Sequence, residues 1–234
     1  TGSTVTGLRQ PLLLSCSIPV PLLKKQHHIV DTIGSIDDLI EKKYIIMEKL
    51  TKLSSLLYEN EIDQCSNSRI VKLSNFAVYK VGYSYKGTEL VDDSPIGMVT
   101  IKNFDRLGGY KIEGLKSIIP SRNNYPILKQ FDLLVAHTDL TQAAEIIGNP
   151  IILLNFSNYT SLTYSMDVVQ VIPKSNLSQF YLFEELKTEK FKKYILGYSH
   201  GTTVLHLSKD ALKEYTFKIC LLYTSPSPRD PKTS

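Results

Sequence analysis

A stripe of apolar residues between Ser35 and Tyr58 constrains the fold of this chain more than any other feature. Its spacings of three and four residues keep the side chains on one side of a helix, with Lys43 as the polar break in the stripe. The stretch contains no glycine or proline, and it predicts a coiled-coil helix of about three heptads. The alternative is an amphipathic helix that lies on a domain. We expect a subunit interface along Ile36, Leu39, Ile40, Ile46, Met47, Leu50, Leu53 and Leu57.

The segments on either side of this stripe carry signals for helix ends. Pro21 suits the first turn of a helix from Leu22 to Thr32, because that turn leaves backbone N–H groups unpaired and proline has none. Gly34 is expected to interrupt this helix, and Ser35 to cap the second one. The polar residues from Asn60 to Arg69 are interpreted as a linker.

From Ile70 onward the apolar pattern changes to a period of two, which is typical of strands. One helix is predicted from Ser178 to Leu196, where apolar residues recur at helical spacing. The fold class is therefore α+β: a β-rich domain with a long helix near its end, preceded by a coiled-coil helical spacer. The predicted strands are rich in β-branched residues and lie around Val71–Leu73, Phe76–Val78, Gly97–Ile101, Leu133–Ala136, Ile151–Leu154, Val168–Ile172 and Tyr215–Ile219.

Composition excludes some classes of protein and permits others. Lys and Arg number 27 against 23 Asp and Glu, and the net charge of +4 allows a nucleic-acid partner without requiring one. No run of about 18 apolar residues occurs, which argues against a membrane span. Cys16, Cys65 and Cys220 are too few and too scattered for a disulfide frame or a zinc site. We therefore expect a reduced, cytoplasmic protein.

The sequence offers no catalytic set. It contains no phosphate loop, no dinucleotide-binding glycine pattern and no pair of histidines at metal-binding spacing. His137, His200 and His206 are isolated, and Asp92-Asp93 and Glu184-Glu185 have no partner base in the sequence. We expect no catalytic residue, no metal and no cofactor. A hydrolase remains an alternative interpretation, favoured only by these isolated side chains.

Four polar loops contain the side chains that can bind DNA. Arg, Lys, Asn and Gln match the edges of guanine and adenine in the major groove, whereas Thr hydroxyls suit phosphates. Together with the basic net charge, four such loops in one domain favour binding over catalysis. The candidate DNA-contacting residues are Lys102, Asn103, Arg106, Arg122, Asn123, Asn124, His137, Thr138, Thr141, Gln142, Thr202 and Thr203.

Both ends of the sequence have unusual features. Residues 220–230 read CLLYTSPSPRD, which resembles the in-frame translation of a transposase sequencing adapter through all eleven residues; the alternative is a disordered tail. Residues 2–9 resemble residues 201–208 at an offset of 199, with a Gly, a Ser/Thr pair, a Val and a Leu in common. We therefore expect a fragment that begins at the end of one domain copy and ends in the next.

Three phrases together resemble the specificity subunit of type I restriction–modification systems. The phrase IPVPLLKKQHHIVDTI, residues 18–33, is similar to the family's proline-started conserved region, with Gln26 near its start, and the coiled-coil helix follows it. The phrase FDLLVAHTDLTQAAEIIGNPIIL, residues 131–153, resembles the central stretch of the family's target-recognition domains. The Gly-Thr-Thr phrase at 201–203 ends a repeat, and residues 2–4 give it as Gly-Ser-Thr.

The resemblance implies an organisation and a set of partners. Residues 1–19 would be the end of a first target-recognition domain, 20–62 a helical spacer, 70–219 a second recognition domain, and 220–234 the adapter-derived tail. The family binds double-stranded DNA without catalysis of its own. It works in a complex with methyltransferase (modification) subunits and the motor–nuclease (restriction) subunit, and that complex modifies and cleaves DNA. The second helical spacer of the family is missing from this chain.

A different class of function remains open. In this interpretation the chain is a protein-interaction module, the coiled coil is its working part and the β-rich domain recognises a protein partner. A peptide of residues 20–60 that captures a partner unaided would favour the interaction module. Binding that falls steeply with salt would favour DNA, because phosphate contacts release counterions.

Overall fold

The computed structural model describes residues 10–106, 108–141, 143–174, 177–201, 204–208 and 210–220. The chain divides into two compact units, Thr1–Thr51 and Lys52–Ser234. The predictions for residues 1–9 and 221–234, the repeat end and most of the adapter-like string, lie outside the described residues. A long helix precedes several small sheets, so the α+β class predicted from the sequence is confirmed.

The long helix is continuous where two helices are predicted. After α1 (Gln10–Leu14), helix α2 runs from Leu23 to Gln64, and the predicted break at Gly34 is wrong. A glycine inside a helix costs about 1 kcal/mol, and the Leu, Glu, Lys and Met residues that dominate α2 from Leu39 to Leu57 offset this cost. Ser35 caps no new helix, because its hydroxyl donates to the Thr32 carbonyl oxygen one turn earlier (2.9 Å). In the described part of the chain, no helix is both long and apolar enough to cross a membrane.

The second unit combines short strands with short helices, and each predicted strand region overlaps a strand. The described strands are β1 (Ser68–Lys72), β2 (Ala77–Val81), β3 (Ile96–Val99), β4 (Lys116–Ser117), β5 (Leu133–Ala136), β6 (Thr138–Asp139), β7 (Pro150–Ile152), β8 (Ser161–Tyr164), β9 (Val168–Pro173), β10 (Ser199–His200), β11 (Leu205–Leu207) and β12 (Thr216–Cys220). The described helices of this unit, apart from the end of α2 and three short 3₁₀ turns, are α3 (Leu73–Phe76), α4 (Gln179–Lys187), α5 (Glu189–Gly197) and α6 (Ala211–Glu214).

The strands form small sheets that are mostly antiparallel. The four-stranded sheet has the order β2–β9–β5–β7 and is antiparallel throughout. A second sheet has the order β4–β3–β8, with β3 and β8 parallel. Strands β10, β11 and β6 form a third sheet, and β1 pairs with β12.

Strand β5 lies between two hydrophobic clusters. Leu133 and Val135 pack in the cluster that contains residues of α4 and α5, whereas Leu134 and Ala136 pack in the cluster that contains residues of β3 and β8. Successive side chains of a strand point to opposite faces, so a strand covered on both faces is apolar at every position. The four-stranded sheet is therefore the middle layer of the domain, and its ends position the loops.

The helix predicted from Ser178 to Leu196 is two helices. The backbone of Thr188 is extended, and its hydroxyl accepts a hydrogen bond from the Phe191 N–H (3.2 Å) as the N-cap of α5. The same hydroxyl bonds to the Glu185 carbonyl oxygen at the end of α4 (2.7 Å). Because the apolar spacing continues across the break, the sequence pattern shows one helix where a threonine cap separates two.

The connection between α2 and the first strand is short and covalently fixed. The predicted linker from Asn60 to Arg69 is wrong, because α2 continues to Gln64 and β1 begins at Ser68. Cys65 in this connection forms a disulfide bond with Cys220, so the expectation of reduced cysteines is wrong for this pair. Cys220 ends β12 and is also the first residue of the adapter-like string.

Candidate nucleic-acid interface

One end of the four-stranded sheet carries a loop that contains several predicted DNA-contacting residues. Strand β5 ends at Ala136, and the chain returns beside it at Pro150, with the Gly148 N–H donating to the Ala136 carbonyl oxygen (2.9 Å). Strand β9 begins at the same level, where Val168 pairs with Ala136. Residues 137–149 are therefore an excursion from this end of the sheet.

The second sheet ends at the same place. After β8, the Ser165 N–H donates to the Val99 carbonyl oxygen at the end of β3 (2.9 Å). Gly82, which follows β2, donates to the Val168 carbonyl oxygen (3.2 Å). A Cβ atom on Gly82 would collide with the Ser165 carbonyl oxygen, so the close approach of the two sheets requires glycine here. The segment after β3, residues 100–111, leaves from this common end.

A buried carboxylate organises the 137–149 loop. Asp139 is fully buried and accepts hydrogen bonds from the backbone N–H and hydroxyl of Thr141 (both 2.8 Å) and from the N–H groups of Ile146 (2.6 Å) and Ile147 (3.1 Å). Burial alone would raise the pKa of Asp139, but these hydrogen bonds outweigh it and hold the pKa below its usual value. The charged side chain therefore fixes the shape of the loop at neutral pH.

Direct contacts join the 100–111 segment to this loop. The Arg106 Nε atom lies 3.1 Å from Glu145 Oε2, and Asn149 Nδ2 donates to the Asp105 carbonyl oxygen (3.4 Å). Lys192 of α5 also binds this loop: its ammonium donates to Asn149 Oδ1 (2.8 Å) and to the Glu145 carbonyl oxygen (3.3 Å). Burial lowers the pKa of Lys192. Two of the predicted loops are thus brought together.

The hairpin formed by β10 and β11 joins the same group. His206 pairs with Thr138 across β11 and β6, and the Leu207 N–H donates to the His137 carbonyl oxygen (3.0 Å). Gly201 in the hairpin has φ +130°, and a Cβ there would collide with the Val204 carbonyl oxygen. We call the described residues of three neighbouring segments, 100–111, 137–149 and 199–207, the loop edge.

Two predicted cations on the loop edge are accessible to a ligand. Lys102 is exposed and forms no ion pair with the described residues. Arg106 is exposed over 63% of its side chain although it pairs with Glu145. Each can therefore reach a phosphate or a base edge without first leaving a buried position.

The prediction of a DNA contact by Asn103 conflicts with its position. Its side chain is fully buried; Oδ1 accepts from the Thr100 N–H (2.8 Å) and Nδ2 donates to the Lys111 carbonyl oxygen (2.7 Å). Both ends of the amide are used to close the loop. Asn103 is therefore a structural residue of the 100–111 segment.

Two hydroxyls predicted to bind phosphate also have internal partners. Thr138 is buried and its hydroxyl donates to Asp167 Oδ1 (3.2 Å), while the Thr141 hydroxyl donates to Asp139 as described above. His137, which directly precedes Thr138, is half-buried, and its backbone N–H donates to the Asp167 carbonyl oxygen (2.8 Å). The two threonine hydroxyls hold the loop edge in shape, which conflicts with their predicted role as phosphate ligands, whereas the predicted contact by His137 stays a prediction.

The structure does not test every predicted contact residue, and it adds two side chains that were not predicted. Gln142, Thr202 and Thr203 lie outside the described residues. Lys111 and His206 are exposed on the loop edge but are not among the predicted contact residues; Lys111 Nζ lies 2.7 Å from Asp105 Oδ2, and His206 lies on β11. Only the pairing of distant strands brings them here, so no local signal marks them. No group of three or more His, Cys, Asp or Glu side chains that could hold a metal ion is found in the described part of the chain.

The fourth predicted loop occupies a different position. Arg122, Asn123 and Asn124 are exposed, and the preceding Ser121 N–H donates to the buried Glu89 carboxylate (2.7 Å). Hydrogen bonds from Ser121, Lys86 and Tyr83 lower the pKa of Glu89 to about 2. Tyr83 links the loop of residues 121–124 to the end of the four-stranded sheet. Its hydroxyl donates to Glu89, which also binds Ser121, and its backbone follows Gly82 at the end of that sheet.

The apolar stripe of α2 is exposed. Its eight members are between 47% and 64% exposed, and no residue of α2 is buried. Within residues 52–64, the side chains that pack on the β-rich domain are Tyr58 and Ile62, not Leu53 or Leu57. The stripe and the face that contacts the domain are therefore different faces at this end of the helix.

Hydrogen bonds to two adjacent glutamates hold the end of α2 against α4. The Ser54 hydroxyl donates to Glu184 (2.7 Å), and the Tyr58 hydroxyl donates to Glu185 Oε2 (2.6 Å). The Tyr215 hydroxyl donates to the other oxygen of Glu185. Burial raises the pKa of Glu185, and hydrogen bonds from the two tyrosines oppose that rise.

Comparison with solved structures identifies the fold. The chain matches the S subunit of a type I restriction–modification system from M. genitalium with a TM-score of 0.56 and 13% identity, over 96% of this chain and 57% of that chain. It also matches the HsdS subunit from Thermoanaerobacter tengcongensis (TM-score 0.47, 15% identity, 96% and 54% of the two chains). A further match is a structure of the assembly and conformational transition of a type I R-M system (TM-score 0.48, 15% identity, 86% and 49%).

The match to the M. genitalium S subunit confirms the predicted resemblance to specificity subunits at the level of the fold. The chain spans about half the length of the structures it matches. No protein-family model and no curated protein matches the sequence.

Proposed function

Starting from this shared fold, we propose that residues 70–219 bind double-stranded DNA in a sequence-specific manner and have no catalytic activity of their own. The observation that carries the proposal is the loop edge, where segments distant in sequence meet and present the exposed cations Lys102 and Arg106. Specific DNA binding requires cations that position the protein on phosphates and side chains that reach bases. The loop edge offers both on a rigid support.

The two cations suit different parts of DNA. Lys102 has no ion pair with the described residues, so it can neutralise a phosphate at no cost in an existing contact. Arg106 can match the O6 and N7 atoms of guanine with its forked donors. Its pairing with Glu145 orients the guanidinium at the surface before DNA arrives. Gln142, Thr202 and Thr203 remain proposed contact residues, and so do Arg122, Asn123 and Asn124 on the neighbouring loop.

We further propose that the chain acts in a cytoplasmic type I restriction–modification complex. Its partners there are the methyltransferase subunits and, through the complex, the motor–nuclease subunit. The proposed organisation is residues 20–62 as the spacer and 70–219 as one recognition domain, with residues 1–19 from a preceding domain. Disulfide bonds are rare in the cytosol, so the Cys65–Cys220 disulfide of the structure stands against a cytoplasmic location.

The apolar stripe of α2 is the proposed subunit interface. An exposed stripe of eight apolar side chains is larger than the isolated apolar residues found on most surfaces, and such stripes pack against another helix. We propose that two copies of this chain associate through the stripe, each covering the apolar side chains of the other. The interaction-module alternative predicts instead that a peptide of residues 20–60 captures a different protein.

The test is a selection of DNA sequences by the full chain from a random library, followed by affinity measurements over a range of salt concentrations. We expect enrichment of a defined sequence and an affinity that falls steeply with salt. Equal retention of random and selected DNA would contradict the proposal.

Lys102→Ala sharpens this test. Loss of one phosphate contact should weaken binding to all sequences about equally and reduce the slope of log affinity against log salt by about 1. Lys129→Ala is the matched control, because Lys129 is an exposed lysine just before the opposite end of β5. If Lys102→Ala and Lys129→Ala weaken DNA binding equally, the loop edge is not the DNA-binding surface.

A further inference from the structure

A single apolar side chain stands out on the loop edge. Leu140 is 64% exposed, although it directly follows Thr138 and Asp139, which are buried. Isolated apolar residues are common on protein surfaces and need no explanation by themselves. The position of Leu140 differs because the backbone on both sides of it is held in place.

The hydrogen bonds of Asp139 fix the turn that presents Leu140. The carboxylate binds the Thr141 N–H on the far side of Leu140, and it binds the N–H groups of Ile146 and Ile147 further along the loop. On the near side, β6 is paired with β11. Leu140 is therefore exposed on a fixed support and does not lie in a free loop.

A second exposed apolar side chain lies on the adjacent segment. Met166 is 51% exposed, and the next residue, Asp167, accepts hydrogen bonds from the His137 N–H (2.8 Å) and the Thr138 hydroxyl (3.2 Å). These bonds place the segments that carry Met166 and Leu140 side by side. The loop edge thus combines an apolar part with the cations of the 100–111 segment.

From this arrangement we infer that Leu140 is a specificity-determining residue that contacts the 5-methyl group of a thymine in the major groove. The inference rests on the proposed DNA-binding function and names one base that it reads. The thymine methyl is the apolar group that base pairs present in the major groove, and side chains distinguish thymine by apolar contact with it. Lys102 and Arg106 supply the positive charge that brings DNA to this edge.

The experiment removes the methyl group from DNA and the side chain from the protein. In the DNA selected by the full chain, each thymine is replaced in turn by deoxyuridine, which lacks only the methyl group. We expect one replacement to weaken binding of the unaltered protein about fourfold, the change that corresponds to one buried methyl group. Leu140→Ala should weaken binding to thymine-containing DNA by at least as much, and it should be insensitive to that replacement.

Leu154→Ala is the matched control. Leu154 is an exposed leucine (53%) that follows β7 at the opposite end of the four-stranded sheet from the loop edge. This variant should keep both the affinity and the sensitivity to deoxyuridine of the unaltered protein. The deoxyuridine scan of the unaltered protein needs no variant, so it tests the inference even if Leu140→Ala folds poorly.

The outcomes separate this inference from the function on which it rests. If no sequence is enriched in the selection, the DNA-binding function fails and the inference fails with it. If a sequence is enriched but no deoxyuridine replacement changes its affinity, the inference alone is overturned. Bending of the DNA that disappears in Leu140→Ala, with no effect of deoxyuridine, would also overturn it, because Leu140 would then act as a wedge between bases.

Discussion

The apolar stripe of α2 and strand β5 are both rich in large apolar side chains, yet they lie in opposite environments. The eight residues of the stripe are 47–64% exposed, whereas Leu133, Leu134, Val135 and Ala136 are at most 1% exposed. Strand β5 has packed elements on both of its faces, and the stripe has none among the described residues of the chain. Apolar periodicity thus predicts the element, but it does not identify what covers it.

At the end of α2, polar side chains, and not the apolar stripe, make much of the contact with the β-rich domain. Between residues 52 and 64 the helix contacts the β-rich domain through Ser54, Tyr58 and Ile62, and hydrogen bonds to Glu184 and Glu185 supply part of the contact. Leu53 and Leu57 of the stripe stay about half exposed on the same turns. The apolar face is thus left available for another molecule. Three variants, ordered by their expected effect on the free energy of unfolding, test this contrast.

Leu134→Ala should have the largest effect. Removal of a fully buried leucine side chain from β5 leaves a cavity in the cluster that includes Val99 and Tyr164, and it should lower the free energy of unfolding by about 2–5 kcal/mol. Urea denaturation followed by circular dichroism measures the change. A loss well below about 1 kcal/mol would mean that β5 is not the middle layer of the domain.

Glu185→Gln should have an intermediate effect that depends on pH. Burial raises the pKa of Glu185, so the folded protein binds this proton more tightly than the unfolded chain does, and the free energy of unfolding falls as pH rises above the ordinary value of 4.5. Glutamine carries no titrating charge and replaces one hydrogen-bond acceptor by a donor, a change of about 1 kcal/mol.

We therefore expect the Gln variant to gain stability relative to the unaltered protein as pH rises from about 4 to about 8. Urea denaturation at several pH values measures this difference. Glu189→Gln is the matched control, because it makes the same chemical change on the exposed surface of α5 and removes no buried carboxylate. Parallel curves for Glu185→Gln and the unaltered protein would show that the burial of this carboxylate does not matter for stability.

The double substitution Leu50→Lys with Leu53→Lys should have the smallest effect on unfolding and a large effect on association. Exposed substitutions change the free energy of unfolding by less than about 0.5 kcal/mol. If two copies pair through the stripe, Leu50 and Leu53 become buried in the pair, and their replacement should weaken the pairing by about a hundredfold or more. Sedimentation equilibrium measures it, with Thr51→Lys as the control outside the stripe. A monomeric unaltered protein would instead refute self-association.

Much of the secondary structure follows from local patterns. The strands around Leu133–Ala136 and Val168–Ile172 are predicted by β-branched runs, and α2 is predicted by its spacing of three and four. The errors occur where a single side chain decides the outcome. Gly34 does not break α2, and Thr188 divides a helix whose apolar spacing continues across it.

The candidate site was predictable only as a set of loops. Side-chain chemistry selects Lys102, Asn103 and Arg106 together, because all three can bind DNA. The fold separates them: Asn103 closes its own loop with both ends of its amide, while Lys102 and Arg106 are exposed. Short-range patterns do not distinguish a polar side chain that binds a ligand from one that satisfies the backbone.

The sequence by itself determined the α+β class, the helix that carries the apolar stripe and seven of the described strands, because helical and strand periods are properties of neighbouring residues. The sequence also contains no recognisable catalytic motif. Tertiary structure alone decided which loops meet. The pairing of Thr138 with His206 and the contact of Arg106 with Glu145 join residues far apart in the chain. Such contacts depend on how the sheets pack, which no local pattern records, and they place Leu140 on the surface proposed to bind DNA.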